Sequence, residues 1–132
     1  MLGVLGGLVV VSNNENAKLS RVTRLKITRA EDVPEGGTVK FHFTHKGKPA
    51  EGFLARFQGK LVAYENRCQH LPLRLDFPDA NLFNHDGTQF ICQNHNAIYE
   101  PLTGLCVRGP CEGQSLRALE IEILAGEVWV LV

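Results

Sequence analysis

Cysteine and histidine fall into two matched pairs in this chain: Cys68-Gln-His70, then twenty-one residues, then Cys92-Gln-Asn-His95. The whole sequence has only four cysteines and five histidines, so the pairing is conspicuous. Each pair sits at the end of a stretch with strand character, "LVAYEN" before the first and "QFIC" at the second. Two thiolates and two imidazoles make a set of four ligands. Such a set suits tetrahedral zinc or an iron–sulfur cluster. Either centre forms only if two loops that are distant in sequence pack against each other.

The rest of the pattern is a series of short strands. "VTRLKIT" (Val22–Thr28) is rich in β-branched residues and reads as a strand. "RAEDVPEGG" reads as a turn, with one helical turn before Pro34. "TVKFHFTH" (Thr38–His45) alternates, with Val39, Phe41 and Phe43 on one face and Lys40, His42 and Thr44 on the other. "KGKPAEG" reads as a loop, and "FLARFQ-GK-LVAYEN" as a hairpin turning at Gly59-Lys60. Residues 71–88 hold two prolines, three aspartates and two asparagines and read as one long functional loop. "QFIC" and "LCV" are further strands, "IYEPLTG" ends in a turn, and "RGPCEGQS" is a Gly/Pro loop. "LRALEIEIL" places Leu119, Ile121 and Ile123 opposite Glu120 and Glu122, and "AGE" turns into "VWVLV". No long helix, internal repeat or low-complexity tract stands out. Many short strands with regular turn signals define an all-β sandwich or small barrel.

At 132 residues the chain suggests one domain, long enough to bury a core without covalent staples. Apolar residues at 44% and charged residues at 21% are ordinary for a soluble globular protein. Fourteen basic and fourteen acidic residues give a formal net charge of zero, which argues against nucleic acid as partner. The opening "MLGVLGGLVVV" is too short to span a bilayer and lacks the basic start of a signal peptide. Residues 1–17 therefore read as an extension, disordered or not native, before a domain at 18–132 in a soluble, cytoplasmic protein without a membrane partner. Four cysteines are too sparse for a disulfide scaffold, and spaced Cys and His in the cytosol point to metal or catalysis.

C-x-H followed by C-x-x-H, each in a loop of an all-β domain, resembles the Rieske [2Fe–2S] proteins. The resemblance runs from about residue 22 to the end. It extends to "TGLCVRGPCEGQSL" (Thr103–Leu116), which is similar to the Gly-Pro loop that covers the cluster in that family. It implies a β-sandwich with a small cluster-binding subdomain and one [2Fe–2S] cluster per chain. Cys68 and Cys92 would hold one iron, His70 and His95 the other, and Gly109-Pro110 would form the cover. Imidazoles in place of two thiolates reduce the negative charge on the cluster and raise its potential. They also couple electron affinity to proton affinity.

Departures from the family pattern narrow the type. Respiratory Rieske subunits carry one more cysteine per cluster loop, joined as a disulfide; the corresponding residues here are Leu73 and Asn94. The chain therefore looks like the soluble ferredoxin type that serves oxygenases. Asn96 replaces the glycine often found after the second histidine, and asparagine tolerates the left-handed backbone there. Ala97 stands where high-potential members place a serine donor, while their tyrosine is kept as Tyr99. One missing donor to sulfur places the expected potential in the low or middle part of the Rieske range.

The function implied is one-electron transfer between a reductase and a terminal oxygenase or other oxidoreductase, with no catalytic residues in this chain. Two other classes fit: the small Rieske-fold subunit of a nitrite reductase complex, and an interaction module in which the same four residues clamp zinc. Among the remaining candidates, Cys106 and Cys111 read as free, buried thiols. His42, His45 and His85 read as surface residues and Trp129 as packing. Arg67, Arg74 and Arg108 flank the cluster loops, either as solvated surface or as a positive rim for an acidic redox partner.

Overall fold

The computed structural model describes residues 8–10, 21–69, 73–76, 82–92 and 96–132. Ten strands are described: β1 Leu8–Val10, β2 Arg21–Arg29, β3 Thr38–His45, β4 Lys48–Phe57, β5 Lys60–Glu65, β6 Phe90–Ile91, β7 Ile98–Tyr99, β8 Cys106–Arg108, β9 Glu120–Leu124 and β10 Glu127–Leu131. The expected turn before Pro34 is a 3-10 turn over Ala30–Asp32. Three antiparallel sheets result, with strand orders β1-β2-β10-β9, β3-β4-β5 and β6-β7-β8. The all-β expectation holds.

The middle sheet explains the architecture. Along β4, Gly52, Phe53, Leu54 and Ala55 are buried without a break. Consecutive strand residues face opposite sides, so unbroken burial means both faces of the sheet are covered. Phe53 and Ala55 join Tyr64 of β5 in one core, with Cys68, Cys92 and Tyr99. Leu54 and Ala63 join Phe41, Phe43, Val128 and Val130 in another. The first core lies toward the β6-β7-β8 sheet and the second toward the β2-β10-β9 sheet. Gly52 sits where a side chain has no room: a Cβ there would lie 2.6 Å from Phe41 Cζ.

Two hairpins join β3, β4 and β5, and a third joins β9 to β10. Each turns on a pair whose two φ angles are positive: Lys46-Gly47 (51° and 77°), Gln58-Gly59 (52° and 77°) and Ala125-Gly126 (52° and 80°). Two left-handed residues in a row form the turn whose twist matches the strands. The β4–β5 turn thus lies one residue earlier than the Gly59-Lys60 expected. The expected loop at "KGKPAEG" is corrected as well, because Lys48 to Gly52 are already strand and only Lys46-Gly47 turns. After the cluster region the chain returns along β5. Glu65 N–H donates to Arg117 C=O at 2.9 Å, and Leu119 N–H to Ala63 C=O at 2.9 Å. It then becomes β9 of the other sheet, stitching the two layers together.

Candidate metal centre

Both cysteines of the matched pairs converge on one core. Cys68, three residues past β5, is 2% exposed, and Cys92, directly after β6, is 1% exposed. His70 and His95 lie outside the described residues, as does Asn94.

The first loop is held at its base by Asn66. Its side-chain oxygen accepts from Leu75 N–H at 2.9 Å, and its amide donates to Asp76 Oδ1 at 3.0 Å and Glu51 Oε1 at 3.1 Å. Cys68 N–H closes the loop onto Leu73 C=O at 2.7 Å. Asp76 is buried and lies 2.8 Å from Lys40 Nζ, which ties the loop to β3. Burial pushes the Asp76 carboxyl up, but hydrogen bonds from Lys40 and Asn66 and the lysine charge outweigh it and hold the carboxyl below its ordinary value. Neither Asn66 nor Asp76 stood out in the sequence, since a buried polar residue carries no local signature.

The second loop is tighter. Cys92 N–H donates to Ala97 C=O and Asn96 N–H to Cys92 C=O, both at 2.8 Å. Asn96 has φ +58°, the left-handed geometry expected of it. Ala97 is fully buried and packs beneath Gly109 of the Gly-Pro loop: a Cβ on Gly109 would stand 2.8 Å from Ala97 Cα. Gly109 of the segment expected as the cover therefore packs on the second cysteine loop.

Tyr99 joins the parts. Its hydroxyl oxygen accepts from Gln69 N–H at 3.0 Å, and the hydroxyl is within reach of Cys68 Sγ at 3.7 Å. It also lies 3.0 Å from Cys111 Sγ. Burial, aided by Cys111, pushes the Tyr99 hydroxyl well above its ordinary value, so it stays a donor at any ordinary pH. Cys106 and Cys111 are buried thiols, as expected, with their sulfurs 3.1 Å apart. Burial and the neighbouring Cys111 push the Cys106 thiol up to about 11. Arg67, Arg74 and Arg108 are exposed, as are His42 and His85, while His45 is half-buried beside the β3–β4 turn.

The donor chemistry fits an iron–sulfur centre. Two sulfurs from separate loops enter one apolar core, backbone amides tie each loop shut, and a buried hydroxyl reaches one sulfur. Hydrogen bonds to sulfur and exclusion of water are what tune such a centre.

An all-β chain with this arrangement belongs with the cluster-binding β domains. The model of the Rieske [2Fe–2S] domain matches residues 23–124, and the chain belongs to that family, whose domain holds one [2Fe–2S] cluster. Among solved structures it is similar to the ferredoxin of carbazole 1,9a-dioxygenase from Nocardioides aromaticivorans IC177, at 21% identity and TM-score 0.61, over 81% of this chain and 95% of that one. It is also similar to a chain in the complex of reduced oxygenase and oxidized ferredoxin in carbazole 1,9a-dioxygenase, at 26% identity and TM-score 0.63, over 81% and 91%. The terminal oxygenase of carbazole 1,9a-dioxygenase from Novosphingobium sp. KA1 shares the fold at 18% identity and TM-score 0.66, but this chain spans only 29% of it. No curated protein matches. Among the described residues, no helix is long and apolar enough to cross a membrane.

Proposed function

We propose that Cys68 and Cys92 ligate one iron and His70 and His95 the other, and that the chain carries single electrons from a reductase to a terminal oxygenase. The observation that carries this reading is the convergence of Cys68 and Cys92 in one dry core, with the Tyr99 hydroxyl 3.7 Å from Cys68 Sγ. Iron binding by histidine and cysteine together is the chemistry of the family. The ferredoxin reading draws on likeness: the chain is 26% identical to a chain of the complex of reduced oxygenase and oxidized ferredoxin, of which it covers 91%. Leu73, exposed in the first loop, replaces one cysteine of the respiratory disulfide, which fits the ferredoxin type. Four cysteines fall short of the density of a secreted disulfide scaffold, which fits a cytoplasmic setting. Arg67, Arg74 and Arg108, all exposed near the cysteine loops in sequence, are the cations an acidic partner would meet.

The test is electron paramagnetic resonance of anaerobically purified, dithionite-reduced protein, with iron, sulfide and zinc counted on the same sample. A rhombic signal with the low average g of histidine ligation, and two irons per chain, is expected. A silent sample with one zinc per chain would make the same four residues a structural clamp and remove the electron-transfer reading.

A further inference from the structure

Five residues apart, Cys106 and Cys111 flank the Gly-Pro loop, and their sulfurs sit 3.1 Å from each other. A disulfide bond is about 2.05 Å long, so about 1 Å of closure separates contact from covalent linkage. The backbone already holds the two residues in register: Cys106 N–H donates to Gln114 C=O at 2.7 Å, Gly113 N–H to Cys106 C=O at 2.9 Å and Gln114 N–H to Cys111 C=O at 2.9 Å. Both thiols are buried, but the residues beside them in sequence, Val107 to Pro110 and Glu112 to Ser115, are all exposed. The pair is therefore flanked on both sides in sequence by solvent-facing residues.

The protons of this group run in one direction. Cys106 Sγ–H donates to Arg108 C=O at 3.2 Å, so its sulfur is left to accept from Cys111 Sγ–H. With the Cys111 proton so used, the Tyr99 hydroxyl is the donor toward Cys111. That hydroxyl has one proton and two sulfur acceptors, Cys111 at 3.0 Å and Cys68 at 3.7 Å. In the dithiol state the nearer sulfur, Cys111, takes the larger share.

We infer that Cys106 and Cys111 form a reversible dithiol–disulfide pair whose state decides which sulfur receives the Tyr99 proton. Linkage draws the Cys111 sulfur toward Cys106 and leaves Cys68 as the acceptor. This rests on the reading above that Cys68 is a cluster ligand. A stronger hydrogen bond to a ligand sulfur raises the potential. Oxidising conditions therefore make the cluster a better electron acceptor. The oxidant is a low-molecular-weight disulfide, reacting by exchange through a mixed disulfide. Its S–S bond breaks and the Cys106–Cys111 bond forms. The protein pair loses two electrons, and its two thiol protons end on the two small thiols released.

The test equilibrates cluster-loaded protein anaerobically over a range of reduced to oxidised glutathione ratios. Each sample is acid-quenched, alkylated and peptide-mapped, and protein-film voltammetry reads the potential on a parallel sample. Scanning is faster than disulfide exchange, which takes seconds to hours. A Cys106–Cys111 peptide lighter by two hydrogens should grow with the oxidised fraction and vanish with dithiothreitol. Its growth should accompany a rise in potential. Tyr99→Phe should keep the linkage and lose the rise. Cys111→Ala should show the raised potential at every ratio. Two alkylated thiols at every ratio, with iron retained, would overturn the inference and leave the cluster reading intact. Linkage with an unchanged or lower potential would overturn it as well. A preparation without iron in the dithiol state would instead remove the cluster reading on which it rests.

Discussion

Gly109 rests on Ala97 so closely that no side chain fits between them. A Cβ would lie 2.8 Å from Ala97 Cα and 3.3 Å from its Cβ, and Gly109 has φ +107°. Steric contact and backbone conformation both require glycine. Gly109→Ala is expected to lift the covering loop from the second cysteine loop and cost about 1–3 kcal/mol. Lower retention of iron on dilution, with the far-ultraviolet dichroism unchanged, is the outcome to look for.

Lys40 and Asp76 join β3 to the far side of the first cysteine loop at 2.8 Å. Because Asp76 has a lowered pKa in the folded state, its contribution is present above the unfolded carboxylate pKa and is lost as pH falls through the folded value. Lys40→Met removes the main partner and brings the folded pKa back up. The loss is expected to be about 1–3 kcal/mol near neutral pH, as for a hydrogen bond to a charged group. The acid unfolding midpoint should move to higher pH. Acid titrations of wild type and variant, followed by tryptophan fluorescence, check it.

The cysteine loops were legible in the sequence where their signal was local. C-x-H and C-x-x-H are short patterns, Cys68 and Cys92 meet in one core, and Asn96 marks a left-handed turn. The base of the site was not legible, because Asp76 and Lys40 are 36 positions apart and only the fold makes them neighbours. The β3–β4 hairpin was missed and the β4–β5 turn set one residue late for a physical reason, while "AGE" was read correctly as the β9–β10 turn. Lysine, glutamine and alanine occupy the first left-handed position of the three two-residue turns, where asparagine or aspartate would have announced it. Alternation also misled at Ile123, grouped with Leu119 and Ile121 but 52% exposed. It lies near the end of β9, an edge strand paired only with β10, and the core stops short of it.

Phe53 stands in the aromatic cluster of the core that holds Cys68 and Cys92. Its ring meets Phe90 edge-on at 5.1 Å and lies 6.0 Å from Tyr64. Fully buried, it has no space to be replaced by water. Phe53→Ala is expected to cost about 3–5 kcal/mol, and Phe53→Leu clearly less. Chemical denaturation of both variants gives the comparison. A loss below about 1 kcal/mol for alanine would mean that the site collapses around the cavity.

Tyr99 and Ala97 together set the expected potential. Tyr99 offers Cys68 Sγ a hydroxyl that it shares with Cys111, and Ala97, buried nearby, offers none. Rieske centres span about −150 to +300 mV, and hydrogen bonds to sulfur raise the value. With one such side-chain donor in place of two, this centre should fall in the lower half of that range. Tyr99→Phe should lower it further and also orphan the Gln69 N–H, at a cost of about 1–3 kcal/mol. Ala97→Ser should move it the other way, provided the new hydroxyl finds room beneath Gly109. Redox titration of the three proteins decides the matter. A wild-type value near the top of the range would show that the side-chain donors are not what sets it.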